Sequence, residues 1–290
     1  MSDEENVDET QPLLEEVEQE QADNTDKQVV VGLVFMGISA LLFSIMSTSV
    51  KVAGLTGFDA TQIVIMRSAI QLTCGLIACL VCKVNPLGSS HYLLLVTRGF
   101  CGAIGVHCFF FTLTNMPLGD GTTIFFINPI LTSLLAVLFL NERIGVFDAV
   151  AMVACFVGTV LVVQPEFMFG KHDDSSVHFA YPRWIPSLAA IAGALLGATS
   201  YCIVRFVGKR VHFLVQVVYF GLASLIWSVS LLLVSQGSIR YIPFNSWTTQ
   251  QWLIMAAVGF SAFIAQCFLN SGLQKAPAGI ATLMRNLDGG

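Results

Sequence analysis

The chain has 290 residues, of which 55% are hydrophobic and 11% charged, and its mean hydropathy is +0.74. Soluble domains carry about 25% charged residues, so this composition excludes a disordered regulator, argues against a water-soluble enzyme and predicts a polytopic membrane protein. The net charge of −5 belongs to one end: residues 1–27 hold 11 of the 19 acids and one base, Lys27, and the rest of the chain is net positive.

In chain order, residues 1–27 are nearly devoid of apolar side chains and are expected to form a disordered acidic tail. They lack the basic start and apolar core of a signal peptide. Within them Glu9-Thr10-Gln11-Pro12-Leu13-Leu14 has the form of an acidic dileucine sorting signal, built on Glu9, Leu13 and Leu14. It suggests an endosomal or vacuolar route, with the plasma membrane an open alternative. The acidic tail and the absence of a basic cluster leave no nucleic-acid partner.

A membrane-spanning helix needs about 20 apolar residues. Eight such stretches follow, near 29–50, 60–82, 92–114, 121–140, 146–164, 184–205, 211–234 and 252–273. None shows the ten-residue alternation of a barrel strand, so an all-α fold is expected. A ninth span opens near Ala278 and is expected to be partial, because Gly290 follows too soon. With the N-terminus cytosolic, Lys27, Lys83, Arg143, Arg205, Lys209, Arg210 and Lys275 lie inside, against Lys51, Lys171, Arg183 and Arg240 outside. Seven against four favours that orientation.

The chain repeats itself. At a shift of 160, Gly99-Phe100 matches Gly259-Phe260, Ile104 matches Ile264, and Leu113 matches Leu273. Pro117, Gly119 and Thr122 match Pro277, Gly279 and Thr282. At a shift of 154, Ala40-Leu41-Leu42 matches Ala194-Leu195-Leu196. The unit holds five helices. Because five is odd, the second copy enters the membrane from the opposite side, an inverted repeat of the kind many carriers use. The expected units are residues 28–165 and 184–290, the second incomplete.

Several runs resemble a known group. Arg98-Gly99-Phe100, Met116-Pro117-Leu118-Gly119-Asp120, Asn128-Pro129-Ile130 and Leu140-Asn141-Glu142-Arg143 resemble the EamA-type repeat of the drug/metabolite transporter superfamily. Arg205 through His212, Ala276-Pro277-Ala278-Gly279 and Met284 through Asp288 resemble the G branch of solute carrier family 35. The resemblance covers about residues 30–288. It implies ten helices, both termini in the cytosol, and a secondary transporter of small organic metabolites working by alternating access. The family pattern continues past Leu287-Asp288, where this chain has Gly289-Gly290.

Polar groups at bilayer depth are costly and normally face the bundle interior. Arg67, Arg98 and Arg285 are therefore candidates to hold an anionic substrate, since arginine stays charged and can grip a carboxylate or phosphate with two hydrogen bonds. Structural readings stand beside this one: Arg98 could snorkel to the membrane surface, and Arg285 could pair with Asp288. Asn128 precedes Pro129, which removes a backbone donor and frees the carbonyl of Phe125; the break could line a cavity or only kink the helix. Gln266 and Asn270 form a polar stripe that could line the cavity or bond across helices. His107, nine residues from Arg98, faces away from it and could relay protons.

Gly193 and Gly197 with the alanine ridge Ala190, Ala194 and Ala198, and Gly99, Gly102 and Gly105, read as packing surfaces. The eight cysteines lie in apolar stretches and read as small apolar residues; Cys79-Leu80-Val81-Cys82 has no second pair to complete a zinc site. No catalytic motif appears, and no metal, cofactor or catalytic residue is expected. The expected partners are a small-molecule solute, the lipid bilayer and, for oligomeric state, a second copy or a related full-length carrier. Two other functions remain open: a truncated non-transporting protein that assembles with or regulates intact relatives, and an integral-membrane lipid enzyme, for which a catalytic set is not visible.

Overall fold

An apolar segment in lipid can satisfy its backbone only from within, as a helix. The computed structural model of the chain describes residues 5–88, 91–116, 118–142, 145–163, 181–236, 247–278 and 281–282, and among them its regular elements are all helices joined by turns. In order these form α1 (Glu5–Leu55), α2 (Ala60–Val81), α3 (Tyr92–Asn115), α4 (Leu118–Phe125), α5 (Asn128–Leu140), α6 (Val146–Val163), α7 (Trp184–Val207), α8 (Phe213–Gln236) and α9 (Thr249–Leu273). A further helix opens at Ala278, where the amide of Ala281 bonds back to the carbonyl of Pro277.

Among the described residues, seven stretches are long and apolar enough to cross a membrane, with α4 and α5 counted together as one. At the fifth expected span lies α6, whose apolar run Ala149–Gly158 is shorter than the seven and is not counted with them. The acidic tail departs from expectation: α1 continues outward without interruption to Glu5. Glutamate and glutamine are good helix formers, and a helix already nucleated in the apolar segment propagates at low cost. The backbone of Glu9, Leu13 and Leu14 therefore lies in α1; their side chains fall outside the described residues, as does Arg285.

The bundle is inside-out relative to a soluble protein. Leu80 and Phe139 are 78% and 70% exposed, whereas Arg67 and Arg98 are 1% exposed. That distribution suits lipid outside and a polar interior. α1 packs on α9, and α3 packs on α7. α2 lies against α8 at the centre, while α3 also touches α8 and α2 also touches α9. One end of the bundle carries Arg205, the starts of α3 and α8 and the end of α9. The other carries Trp247, whose ring sits 4.9 Å from that of Phe58.

Small residues set these contacts, as the sequence suggests. A Cβ at Gly105 would sit 3.2 Å from the carbonyl oxygen of Gly193, so α3 and α7 meet backbone to backbone. At Gly259 a Cβ would lie 2.6 Å from Ile70, so α9 seats directly on α2. Where α2 crosses α8, the Ser68 hydroxyl donates to the Ser224 hydroxyl at 2.7 Å.

The Asn128-Pro129 step breaks the fourth span. Phe126 and Ile127 form a turn between α4 and α5, with the Ile127 amide reaching back only three residues, to Ile124, at 3.2 Å. Pro129 has no N–H to offer the carbonyl of Phe125. The other end of α5 closes on Asn141 in the left-handed region at φ 54°, which turns the chain and presents Glu142 toward α7. The Arg205 Nε donates to Glu142 Oε1 at 2.7 Å, and the Ala278 amide donates to Glu142 Oε2 at 3.0 Å. One carboxylate thus joins α5 to the end of α7 and caps the helix that follows Pro277. Removing it in Glu142→Ala is expected to cost about 1–2 kcal/mol, from a half-solvated ion pair and a lost cap. Thermal unfolding in detergent measures this, and an unchanged midpoint would show that the link carries no stability.

Candidate functional site

Arg98 is the centre of the buried polar cluster. It lies in the second turn of α3, where a charge would be lipid-exposed unless the helix faced it inward. It does face inward, and it does not snorkel. Its Nη1 donates to the backbone carbonyl of Gln216 at 2.9 Å. Its Nη2 donates to Asn270 Oδ1 at 2.8 Å and to Gln266 Oε1 at 3.3 Å. Gln266 and Asn270, one turn apart on α9, therefore both line the interior and bond across helices. Its own backbone carbonyl accepts from the Ser200 hydroxyl of α7 at 3.3 Å. Every acceptor of the guanidinium is neutral; among the described residues no carboxylate pairs with it.

Arg67 joins from α2. Its Cζ lies over the Phe220 ring at 5.4 Å from the centroid, and the Arg98 Cζ lies over the same ring at 4.9 Å. The two arginines thus share one aromatic face-partner on α8. Gln71 follows Arg67 by one helical turn, and Gln216 precedes Phe220 by one. Both are fully buried, and neither side-chain amide has a hydrogen-bond partner among the described residues. The same holds for Asn270 Nδ2 and Arg98 Nε. A buried polar atom left unpaired costs about 1–3 kcal/mol, and native proteins leave few of them. Several of them converge here on one arginine pair.

Two expected residues lie elsewhere. Asn128 donates its amide to the Ala194 carbonyl of α7 at 2.7 Å and is not among the contacts of Arg98. Asn128→Ala is expected to cost about 1 kcal/mol, as for other interhelical bonds in membranes, and to leave substrate affinity unchanged. A weakened affinity in a stable variant would return Asn128 to the site. His107 is partly buried with its Nδ1 unpartnered, and it makes no contact with Arg98. Gln71, Gln216 and Phe220 were not anticipated. The signal available was the i, i+4 pairing of Arg67 with Gln71, the same spacing that singled out Gln266 and Asn270. All eight cysteines are free thiols.

Comparison with known proteins agrees with this architecture. Residues 30–164 match the EamA-like transporter family, and residues 100–284 match solute carrier family 35. Solute carrier family 35 member G1 of Mus musculus is 29% identical over 264 residues, covering 89% of this chain and 68% of that protein. The human member G1 is 29% identical with 69% of its length covered. The pseudopaline exporter CntI of Pseudomonas aeruginosa is 25% identical, with 88% of this chain and 82% of that protein aligned. One crystal structure superposes at a TM-score of 0.70 over 91% of this chain and 85% of that one, at 18% identity, a likeness of fold. A multi-pass helical bundle with two buried arginines at its core, matched over most of its length by these models, belongs to solute carrier family 35, among the EamA-like membrane transporters.

Proposed function

We propose that the chain is a secondary carrier for small organic anions and works by alternating access about the Arg98 cluster. The observation that carries this reading is the Arg98 guanidinium itself. It is buried, among the described residues it is held only by neutral oxygens, and unspent amide groups surround it. A charge taken out of water is expensive unless an opposite charge meets it. A carboxylate or phosphate on the solute would supply that charge, and Arg98 Nε and Asn270 Nδ2 remain as donors for it.

The packing supports two exchangeable halves, 28–165 and 184–290, related as an inverted repeat. If α1, α2 and α3 correspond to α7, α8 and α9, then α1 on α9 is the counterpart of α7 on α3. Likewise α3 on α8 is the counterpart of α9 on α2, and α2 on α8 maps to itself. Each of these three central contacts has its mate, which suits an arrangement in which one half rocks against the other. The lysine and arginine balance supports a cytosolic Arg205 end.

The test is uptake by proteoliposomes of a panel of radiolabelled small carboxylates, organic phosphates and neutral amides of matched size. Saturable uptake of anions, reduced by internal depletion of the same solute, is expected. Equal uptake of neutral and anionic members would remove the anion reading, and no uptake at all would remove the carrier reading.

A further inference from the structure

The register of the helices around Phe220 orders the two arginines along the bundle axis. α8 runs from the Arg205 end to the Trp247 end. Arg98 bonds to the carbonyl of Gln216, one turn before Phe220. Ser68, the neighbour of Arg67, bonds to Ser224, one turn beyond it. By this register the backbone of Arg67 is on the Trp247 side of Phe220, while the Arg98 guanidinium reaches to the Arg205 side, and both cations lie over the ring. It is 2% exposed, and it fills a place kept open by Gly102, where a Cβ would come within 2.7 Å of its Cε2.

We infer that Phe220 is a movable partition between two guanidinium stations on one solute path, and that a solute anion crosses by displacing the ring. The inference rests on the carrier reading above. Two like charges beside one ring repel each other, and the ring's electron-rich face holds each of them by a modest attraction. A full negative charge brought between the same two cations interacts with both far more strongly than a quadrupole does. The ring thus serves as a placeholder in the empty carrier, and an anion outcompetes it. A neutral solute has no such advantage, so Phe220 sets selectivity as well as closure. Gln71, level with the ring, and Gln216, one turn below, offer amides to the solute on its way past.

The experiment uses a background with all eight native cysteines replaced, reconstituted in liposomes of one orientation. Single cysteines are placed at Ser224→Cys and Gln216→Cys, on the two sides of the ring. The probe is the anionic thiol reagent 2-sulfonatoethyl methanethiosulfonate, applied from one face at a time. With Phe220 present, the cysteine at 224 is expected to react from the Trp247 face and the one at 216 not from that face. In Phe220→Ala, labelling at 216 from the Trp247 face is expected to rise about tenfold, the factor that removing a barrier of cation–π size would give. Phe220→Leu, which keeps an apolar side chain but no aromatic face, should give an intermediate rise and serves if the alanine variant does not fold. Sidedness that is the same with and without the ring, including labelling of both cysteines or of neither in every variant, would overturn the partition. Failure of the carrier reading is separable: it appears as no anion uptake by the parent protein, whatever the labelling pattern.

Discussion

Arg98→Ala is expected to abolish anion uptake, by about a hundredfold or more, because it removes the guanidinium of α3 that groups from α8 and α9 hold. The loss has two parts. The first is recognition: a buried, charge-assisted hydrogen bond is among the strongest contacts a polar solute can make. The second is structural. The variant leaves Asn270 Oδ1, Gln266 Oε1 and the Gln216 carbonyl facing a void, at about 1–3 kcal/mol for each buried orphan. Arg98→Lys separates the two parts. An ammonium restores the charge but is a compact point donor that cannot reproduce the planar fork spread across Gln216 and Asn270. It should fold with nearly normal stability and still transport poorly. Uptake in proteoliposomes alongside thermal unfolding in detergent makes the measurement. A well-folded Arg98→Ala protein with normal anion uptake would end the assignment.

Gly259→Leu should have the largest effect on folding. Already the first added carbon would lie 2.6 Å from both Cβ and Cδ1 of Ile70, inside any tolerable contact, and Ile70 is branched at the atom that is struck. Forcing extra atoms into a packed interior costs about 1–3 kcal/mol for a methylene or two; a leucine here must push α9 away from α2. Because Gln266 and Asn270 ride on α9, that displacement also withdraws the acceptors that orient Arg98. Gly259→Ala should be milder and should be rescued in part by Ile70→Ala. Yield of folded protein on size-exclusion chromatography, with the double variant compared against both singles, tests the coupling. Additive effects would mean that the two residues do not meet.

Much of the fold was legible because a bilayer leaves the chain few options. Uncharged runs of sufficient length had to be helices, and the Asn128-Pro129 step had to interrupt one of them. The glycines at 99, 102 and 105 and at 193 and 197 announced close approach, and the bundle uses Gly105 and Gly193 for it. The site was half legible. Arg67, Gln266 and Asn270 stand out because polarity in an apolar helix needs a reason. Arg98 was open to two readings because its distance from the helix start permits snorkelling; only the arrival of Gln216 and Asn270 from α8 and α9 decides. Phe220 carried no signal at all. A phenylalanine in an apolar helix looks like any other, and its place between two arginines depends on the antiparallel register of α2 against α8, which no single helix records. The helix through the acidic segment before Lys27 was not legible for a related reason: composition alone describes a free peptide, not one joined to a helix that already exists.

The link through Glu142 has a consequence for the medium in which the protein works. Its two side chains are 20% and 26% exposed, so dissolved ions reach them, as they do not reach Arg98. The screening length falls from about 8 Å in physiological salt to about 3 Å at 1 M. On the carrier reading, this contact has to part whenever the Arg205 face opens. Raising the ionic strength on that face alone should therefore shift the molecule toward the opened form, while the same salt on the opposite face should not. A change in turnover produced by salt on one side of the membrane would thus identify a face of the protein without the solute ever being named.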